Sequence, residues 1–363
     1  MGDTTGTRRT PDRVARRPSL ADVAAEAGVS TSTASSALGG TRAVRAETRE
    51  RVLRAAERLG YVSSRAAGPS RSRRAAEVAV VTDGIASTPY AGRIVQGAQE
   101  VARARGILLT IADSGGDPEL EARHLRSFAQ RGIDGILLAR VAHEEVERPA
   151  AIGAIPAVLV NAVPAEGWTV PSVAPDEQRI AADAVEHLLG AGHQIVAFIV
   201  AEGDGPVARG RYAGFRSAVE WAGLYDSHAV VERATPDAAG GRRMGRRLLD
   251  HPPGERPTAI LCFNDQVALG VYQAAEALGL EVPRDCSVLA VDDLEIVAAS
   301  LDPALSTIEL PHRAMGRWAM TALLDQLDDP TTDAAGTVLL AGDLVERRSV
   351  APPRRLLAWL NRR

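Results

Sequence analysis

The chain contains no lysine: all forty-two of its basic residues are arginine. Arginine density alone therefore carries little meaning, and only its distribution is informative. Aromatic residues make up 4% of the 363 positions, so rings for stacking against a ligand are few. Two cysteines, Cys262 and Cys286, lack paired spacing and a neighbouring histidine, which argues against a disulfide framework and against a metal site and leaves buried thiols as the expectation. No apolar run reaches the roughly 18 residues of a membrane span, and the opening MGDTTGTRRTPDRVARRPS has no secretory core, so the expected location is the cytoplasm. The histidines are scattered. With no Ser-His-Asp set, HExxH pair, paired carboxylates or nucleophile elbow, neither catalysis nor a cofactor is expected.

What is present is unevenly spread. Residues 1–74 hold fifteen Arg against seven Asp and Glu, a surplus of eight; with the whole chain at −4, residues 75–363 carry −12. A uniform preference for arginine cannot produce that change of sign. A basic head on an acidic body is the electrostatic footprint of nucleic-acid binding confined to the head.

Residues 19–60 read as three short helices, the first two joined by a tight turn. Ser19 and Asp22 form a capping-box-like pair, and Leu20, Val23, Ala24 and Ala27 share one face. Gly28 ends the helix. Val29 fills the core, and Ser30 caps a second helix, TSTASSAL, whose outward residues are short and polar, as a helix entering a major groove requires. A third helix is expected from about Glu47 to Leu59, with Val52, Leu53, Ala56 and Leu59 as its stripe, Arg49, Arg51, Arg54 and Arg58 on its other faces, and Gly60 just past its end.

Residues 63–76, SSRAAGPSRSRRAA, read as a linker because Gly68-Pro69 stops a helix. Beyond it, the apolar runs EVAVVTD, ILLTIAD, GILLA, AVLVN, IVAFIV, AILCFN and SVLAV alternate with helical patterns near 92–105, 118–131, 176–190, 208–222, 237–249 and 265–278. Continuous apolarity marks strands buried on both faces, hence parallel sheet covered by helices. So many units exceed one sheet. The expected fold is an all-α helix-turn-helix head plus an α/β core of two doubly wound parallel-sheet subdomains. They divide near VPSVAPDE, with a ligand cleft at the strand C-termini between them.

In the order in which they occur, GIDGILLA, IPAVLVN, HLLGAGHQIVAFI, ARGRYAGFRSAV, RPTAILCFNDQVALG, VPRDCSVLAVDD and LVERRSVAPP follow the helix-turn-helix. Together they resemble the lactose/galactose-repressor family of bacterial transcriptional regulators over nearly all of residues 19–350. The resemblance implies a homodimer whose paired heads bind pseudo-palindromic operator DNA. It also implies a periplasmic-binding-protein-like core that closes on a small effector, by analogy a sugar or sugar phosphate, although purine-binding relatives leave the ligand open. On this reading the chain divides into a basic tail (1–18), the head (19–62), the hinge linker (63–76), the core (77–350) and a C-terminal tail (351–363). The first subdomain takes 77–173 plus 311–330, and the second takes 174–310 plus 331–350.

For the head, the resemblance implies base contacts from Thr31, Ser32 and Ser36, phosphate contacts from Ser30, Thr33 and Ser35, and further DNA contacts from Ser19, Leu20 and Arg65. Ser36 stands where relatives commonly carry Arg, and Gly39 where they usually show Asn. A hydroxyl cannot span guanine O6 and N7, so discrimination at that position is expected to be weak. Many relatives also fold the linker into a hinge helix with a leucine wedge. Here Ser70 takes the leucine position, and Gly68 and Pro69 would cost about 1 and about 3 kcal/mol in a helix. The linker is therefore expected to stay irregular on DNA, with Arg65, Arg71, Arg73 and Arg74 supplying salt-sensitive backbone or minor-groove contacts.

For the core, the resemblance implies effector contacts from Arg211, Asn264, Asp292 and Asn161, with Thr88 and Tyr90 walling the pocket. Thr235 stands where relatives often have an aromatic ring, for which Trp168 is a substitute from a neighbouring loop. Structural alternatives are concrete: the Ser and Thr residues cap or are simply solvated, Asp265 caps its helix, Asp293 is a turn residue, and Arg211 pairs with a surface acid. Two rival functions also stand. One is a DNA binder of degenerate specificity, kept open by Ser36 and Gly39. The other is a nicotinamide-dependent enzyme, whose support is the stretch Gly203-Asp204-Gly205-Pro206-Val207-Ala208, a weak match because its third glycine is Ala.

Overall fold

A computed structural model describes residues 19–39, 44–59, 76–84, 88, 91–224, 229–329 and 336–354. Tyr90, Arg65 and the expected linker behaviour of Arg71, Arg73 and Arg74 lie outside the described residues, as do the 1–18 tail and Gly60. The chain forms two compact units, Met1–Ala75 and Ala76–Arg363.

The head is α1 (Leu20–Ala27), α2 (Thr31–Gly39) and α3 (Ala46–Leu59). The capping box forms: Ser19 N donates to Asp22 Oδ2 at 2.6 Å and Asp22 N donates to Ser19 Oγ at 3.4 Å. Gly28 takes a left-handed φ of +63°, which a residue with a Cβ adopts only with strain. Ser30 Oγ accepts from Thr33 N at 3.1 Å and so caps α2. Val23, Ala24, Ala27, Ala34, Ala37, Val52, Ala55 and Ala56 form the core, small enough to let three short helices approach closely. Leu53 departs from expectation, being 42% exposed, and Ala55 takes the inward place. Ala55 and Ala56 lie three and four residues beyond Val52 and so return to its face, whereas Leu53 is rotated about 100° away.

In the second unit, one sheet has the order β11-β5-β4-β3-β1-β2. Its strands are β1 (Glu77–Thr82), β2 (Leu108–Asp113), β3 (Gly135–Val146), β4 (Ala157–Pro164), β5 (Pro171–Pro175) and β11 (Gly336–Leu340). Helices α4 (Ala91–Ala104), α5 (Pro118–Arg131) and α11 (His312–Asp328) pack on it. The other sheet has the order β12-β10-β9-β8-β6-β7. It comprises β6 (Val196–Ala201), β7 (Ala229–Ala234), β8 (Ala259–Cys262), β9 (Ser287–Asp292), β10 (Ser306–Glu309) and β12 (Asp343–Val345), with α6 (Glu177–Gly190), α7 (Pro206–Trp221), α8 (Ala238–Leu249), α9 (Asp265–Ala277) and α10 (Glu295–Ala298). All described strand pairs are parallel except β10 with β12. The chain passes between the sheets after β5, after β10 and after β11.

Two expected boundaries shift. The stretch expected to divide the subdomains is itself β5, buried throughout, and residues 336–340, expected in the second subdomain, pair with it in the first, Val338 opposite Val173. A buried strand cannot leave one side of its backbone without partners, and β11 supplies them. No described helix is long and apolar enough to cross a membrane. Cys262 and Cys286 are free and buried, and burial pushes the Cys286 thiol up to about 12.

Close helix contact fixes one side of the cleft. A Cβ on Gly97 of α4 would come within 2.0 Å of the Arg313 carbonyl, and one on Gly316 of α11 within 1.9 Å of the Ile94 carbonyl. The two backbones therefore touch, which sets the N-terminal ends of α4 and α11 side by side at the C-terminal edge of the first sheet. His193 is structural: it contacts Thr258 Oγ1 at 3.0 Å and Ser287 Oγ at 3.1 Å, and burial lowers it to about 4, so it is neutral.

Candidate effector site and nucleic-acid interface

On α2, Ala34 and Ala37 face inward, Thr31, Ser32 and Ser35 are exposed, and Thr33 and Ser36 are half-buried. Ser30 Oγ lies 2.9 Å from Ser32 Oγ and 2.8 Å from Thr33 Oγ1, so these hydroxyls are partly engaged with one another. Ser19 Oγ donates to Asp22 Oδ2 at 2.6 Å, and Leu20 packs half-buried against the three-helix core. The surface α2 presents is thus a row of short hydroxyls, each with one donor and two acceptor positions on a single oxygen. Among the described residues, basic charge in the head sits on α3 and at Arg45 just before it; Arg58 pairs with Glu26 at 3.2 Å and Arg54 with Glu50 at 3.9 Å, both pairs exposed and worth little to stability.

The cleft lies where the strand C-termini of the two sheets face each other. On the first-sheet side, β3 loses register with β4 between Ala139 and Glu144. Asp83 Oδ1 accepts from Val141 N at 2.9 Å, and Asn161 Nδ2 donates to the Arg140 and Val141 carbonyls at 3.0 Å each. These bonds hold the bend open. Asn161 is buried with a φ of +58°, and its Oδ1 has no hydrogen-bond partner among the described residues. Arg140, on the bend, pairs with Glu121 of α5 at 2.9 Å and with Glu144 at 3.0 Å.

Opposite, Arg211 of α7 is 3% exposed and Glu177, the first residue of α6, is 5% exposed. Arg211 Nε donates to Glu177 Oε2 at 2.7 Å, Nη1 donates to the Phe263 carbonyl, and the guanidinium lies 4.6 Å from the centroid of the Phe263 ring. Its Nη2 is 3.8 Å from Asp292 Oδ1, and His143 Nδ1, from the bend of β3, is 3.7 Å from Glu177 Oε1. Burial alone would raise the Glu177 carboxyl, but Arg211 and His143 hold it below the ordinary value. Asp292 closes β9 with a φ of +126°; burial pushes it up to about 8, against the pull of Arg211 and with the help of Asp265 and Glu177.

A second ionic group spans the cleft beside the first. Arg93 of α4 pairs with Glu309 at the end of β10 and lies 3.9 Å from Asp293, which Arg347 Nη2 holds at 2.7 Å. Asp265 is buried, accepts from Leu294 N at 2.5 Å and Thr307 Oγ1 at 2.8 Å, and is raised by burial to about 6. His312, at the start of α11, is lowered by burial to about 4.

The structure therefore brings Arg211 and Asp292 together, but Arg211 differs from its expected form. Its fork does not project freely; two of its three nitrogens are taken by Glu177 and by the Phe263 carbonyl. Asn264 caps α9 through Val267 N at 2.8 Å and donates to the Pro236 carbonyl at 3.1 Å, the cap expected as an alternative role for Asp265. Thr235 donates to Asp237, the α8 cap, at 3.0 Å, and Thr88 to the Gly84 carbonyl at 2.9 Å. Asp293 carries two arginine contacts and is more than a turn residue. Glu177, His143, Arg93, Glu309 and Arg347 escape a reading of the sequence because their partners lie far along the chain. At the sequence level, Glu177 is one more acid in the first turn of a helix, favoured there by the helix dipole.

Residues 19–64 match the model for bacterial regulatory proteins of the lacI family, and residues 185–350 match that for a periplasmic binding protein-like domain. The ribose operon repressor of Escherichia coli strain K12 is 30% identical over 315 residues, 86% of this chain and 94% of that protein. The structure of the lac repressor dimer bound to operator and the anti-inducer ONPF aligns with a TM-score of 0.70 at 26% identity, covering 93% of this chain and 100% of that one. The complex of the transcriptional regulator CelR with cellobiose aligns with a TM-score of 0.60 at 27% identity, covering 92% and 100%. With both its helix-turn-helix and its cleft-bearing core matched, the chain belongs to the lacI family of bacterial regulatory proteins and is a DNA-binding transcriptional regulator with an effector-binding core.

Proposed function

We propose that the chain is a cytoplasmic homodimeric repressor in which α2 reads an operator half-site and a small carbohydrate in the core cleft controls operator affinity. The observation that carries this reading is the meeting of Arg211 and Asp292 between two sheets whose facing strand ends are bridged by further polar pairs. Asn161, Asn264, Thr235 and Thr88 are proposed as lesser members of the site, since Asn264 and Thr88 already bond backbone groups, Thr235 bonds the Asp237 carboxylate, and Asn161 spends its amide nitrogen on the β3 bend. The core relatives support a sugar ligand, one being a ribose operon repressor and another a cellobiose complex. Two heads support specificity, because each half-site multiplies the discrimination of the other. A dinucleotide is disfavoured at the Gly203–Gly205 turn: Pro206 occupies the first turn of α7 and withholds an N–H that a pyrophosphate would use.

The fragment 76–363 coincides with a compact unit and tests the division of labour. It is expected to lose binding to duplex DNA while its melting temperature still rises with an effector found by screening neutral sugars against the full chain. A fragment that retains DNA binding would remove α2 from its role. The linker provides a separate check. Changing Arg71, Arg73 and Arg74 to Ala is expected to flatten the log–log salt dependence of operator binding by up to about 3 units, at about 0.9 per lost phosphate contact, and an unaltered slope would place these arginines off the DNA.

A further inference from the structure

We propose that Glu177 is the specificity-determining residue of the cleft: by cancelling the charge of Arg211 and fixing its edge, it restricts the effector to uncharged or cationic polyhydroxy compounds and excludes phosphorylated and carboxylated ones. This rests on the cleft being the effector site and narrows the ligand to a charge class.

An arginine in a binding cleft ordinarily invites an anion, because its planar fork matches a carboxylate or phosphate. Here that fork already holds a carboxylate. Glu177 takes Nε at 2.7 Å, Nη1 is bonded to the Phe263 carbonyl, and both members of the pair are buried, so solvent screens their attraction little. The remaining nitrogen, Nη2, lies 3.8 Å from Asp292 Oδ1, so an anion reaching it would share the guanidinium with that carboxyl and hold it protonated, gaining a hydrogen bond but no free cation. The neighbouring arginines offer no substitute: Arg93 is held by Glu309, and Arg347 by Asp293. A phosphate or carboxylate entering this space would give up its hydration without gaining an uncompensated positive charge among the described residues.

Hydroxyl groups face no such penalty. Nη2 can donate to a hydroxyl oxygen, and Asp292 can accept from a hydroxyl when ionised or donate to one when protonated, the form that its raised pKa of about 8 favours near neutrality. A ligand ammonium would favour the ionised form of Asp292 instead, which is why cationic sugars stay within the class.

Thermal shift and calorimetry on the full chain test this, with D-ribose, cellobiose, ribose 5-phosphate and inorganic phosphate as probes against chloride at matched ionic strength. In the wild type, phosphate and ribose 5-phosphate are expected to give no more stabilisation than chloride. In Glu177→Gln, which keeps the hydrogen-bond acceptor and removes the charge, both should raise the melting temperature, and ribose 5-phosphate should bind about tenfold tighter or more than it does to the wild type. Adding Arg211→Gln to that variant should abolish the gain. A folded Glu177→Gln that remains indifferent to phosphate would overturn the proposal. So would a wild-type response to phosphate that Arg211→Gln removes, a result that decides the matter even if Glu177→Gln does not fold. If the phosphate pattern appears as expected while no sugar binds, the charge role of Glu177 stands and the carbohydrate reading alone fails.

Discussion

Arg211→Ala is expected to weaken the whole core as well as its ligand affinity. The substitution strands the Glu177 carboxylate in a buried position, and breaking one side of such a pair costs about 3–5 kcal/mol. Lost ligand bonds add roughly a ten- to hundredfold drop in effector affinity. The sequence alone, which reads Arg211 as a free fork, predicts only the second effect. Acidity separates the two contributions. In the native protein Glu177 sits below its ordinary carboxyl value, so its ionic stabilisation is present above the unfolded value of about 4.3 and is lost as pH falls through the native one. In the variant, burial acts without the arginine and raises the group, so protonation relieves the variant. The difference in urea-unfolding free energy between wild type and variant should thus be larger near about pH 7 than near about pH 5. A gap that stays constant would mean that Glu177 is not the partner that matters.

Asp292→Asn is expected to act in the opposite direction on stability and the same direction on binding. With Asp292 raised to about 8, the native state holds a proton that the unfolded chain releases near about 3.9. The stability that proton confers is complete below the unfolded value and is lost as pH rises through about 8. An amide at this position needs no proton and tolerates the positive φ about as well as Asp does. The variant should therefore melt higher than wild type near about pH 8, match it near about pH 4, and bind the effector about tenfold more weakly or worse. Stability exchanged for binding in this way is the usual mark of a functional carboxylate. A variant less stable than wild type at pH about 8 would show instead that Asp292 is held ionised by Arg211.

Much of this architecture is legible in the residues, for identifiable reasons. The capping box at Ser19 and Asp22, the left-handed Gly28 and the cap at Ser30 are local devices, and local devices are written in adjacent residues. All seven long apolar runs became strands, and six of them are largely buried, as an unbroken apolar string implies; β2 departs from that expectation, because it is the sheet's edge strand and leaves Leu108 and Ile111 exposed. β7, β10, β11 and β12 are short, edge-placed or partly polar, and β5 is bounded by prolines, so none has a distinctive string to read. The cleft divides in the same way. Arg211 and Asp292 stand near the N-terminal end of a helix and at the end of a strand, positions that a doubly wound sheet directs toward a ligand. Glu177, thirty-four residues from Arg211, acquires its role only when α6 and α7 pack together. On α2, Ser35 is exposed and Ser36 half-buried, a difference set by how the helix packs on its neighbours and not by periodicity alone.

A reading helix that offers hydroxyls and no arginine makes sequence specificity the point on which the regulatory role depends. Selection of binding sites by the full-length protein from a pool of random duplex DNA measures it directly. A dimeric operator-reading regulator should enrich two inverted half-sites spaced by about one helical turn. A pool that emerges with no enriched sequence would contradict that role and identify the head as a binder of the phosphate backbone alone.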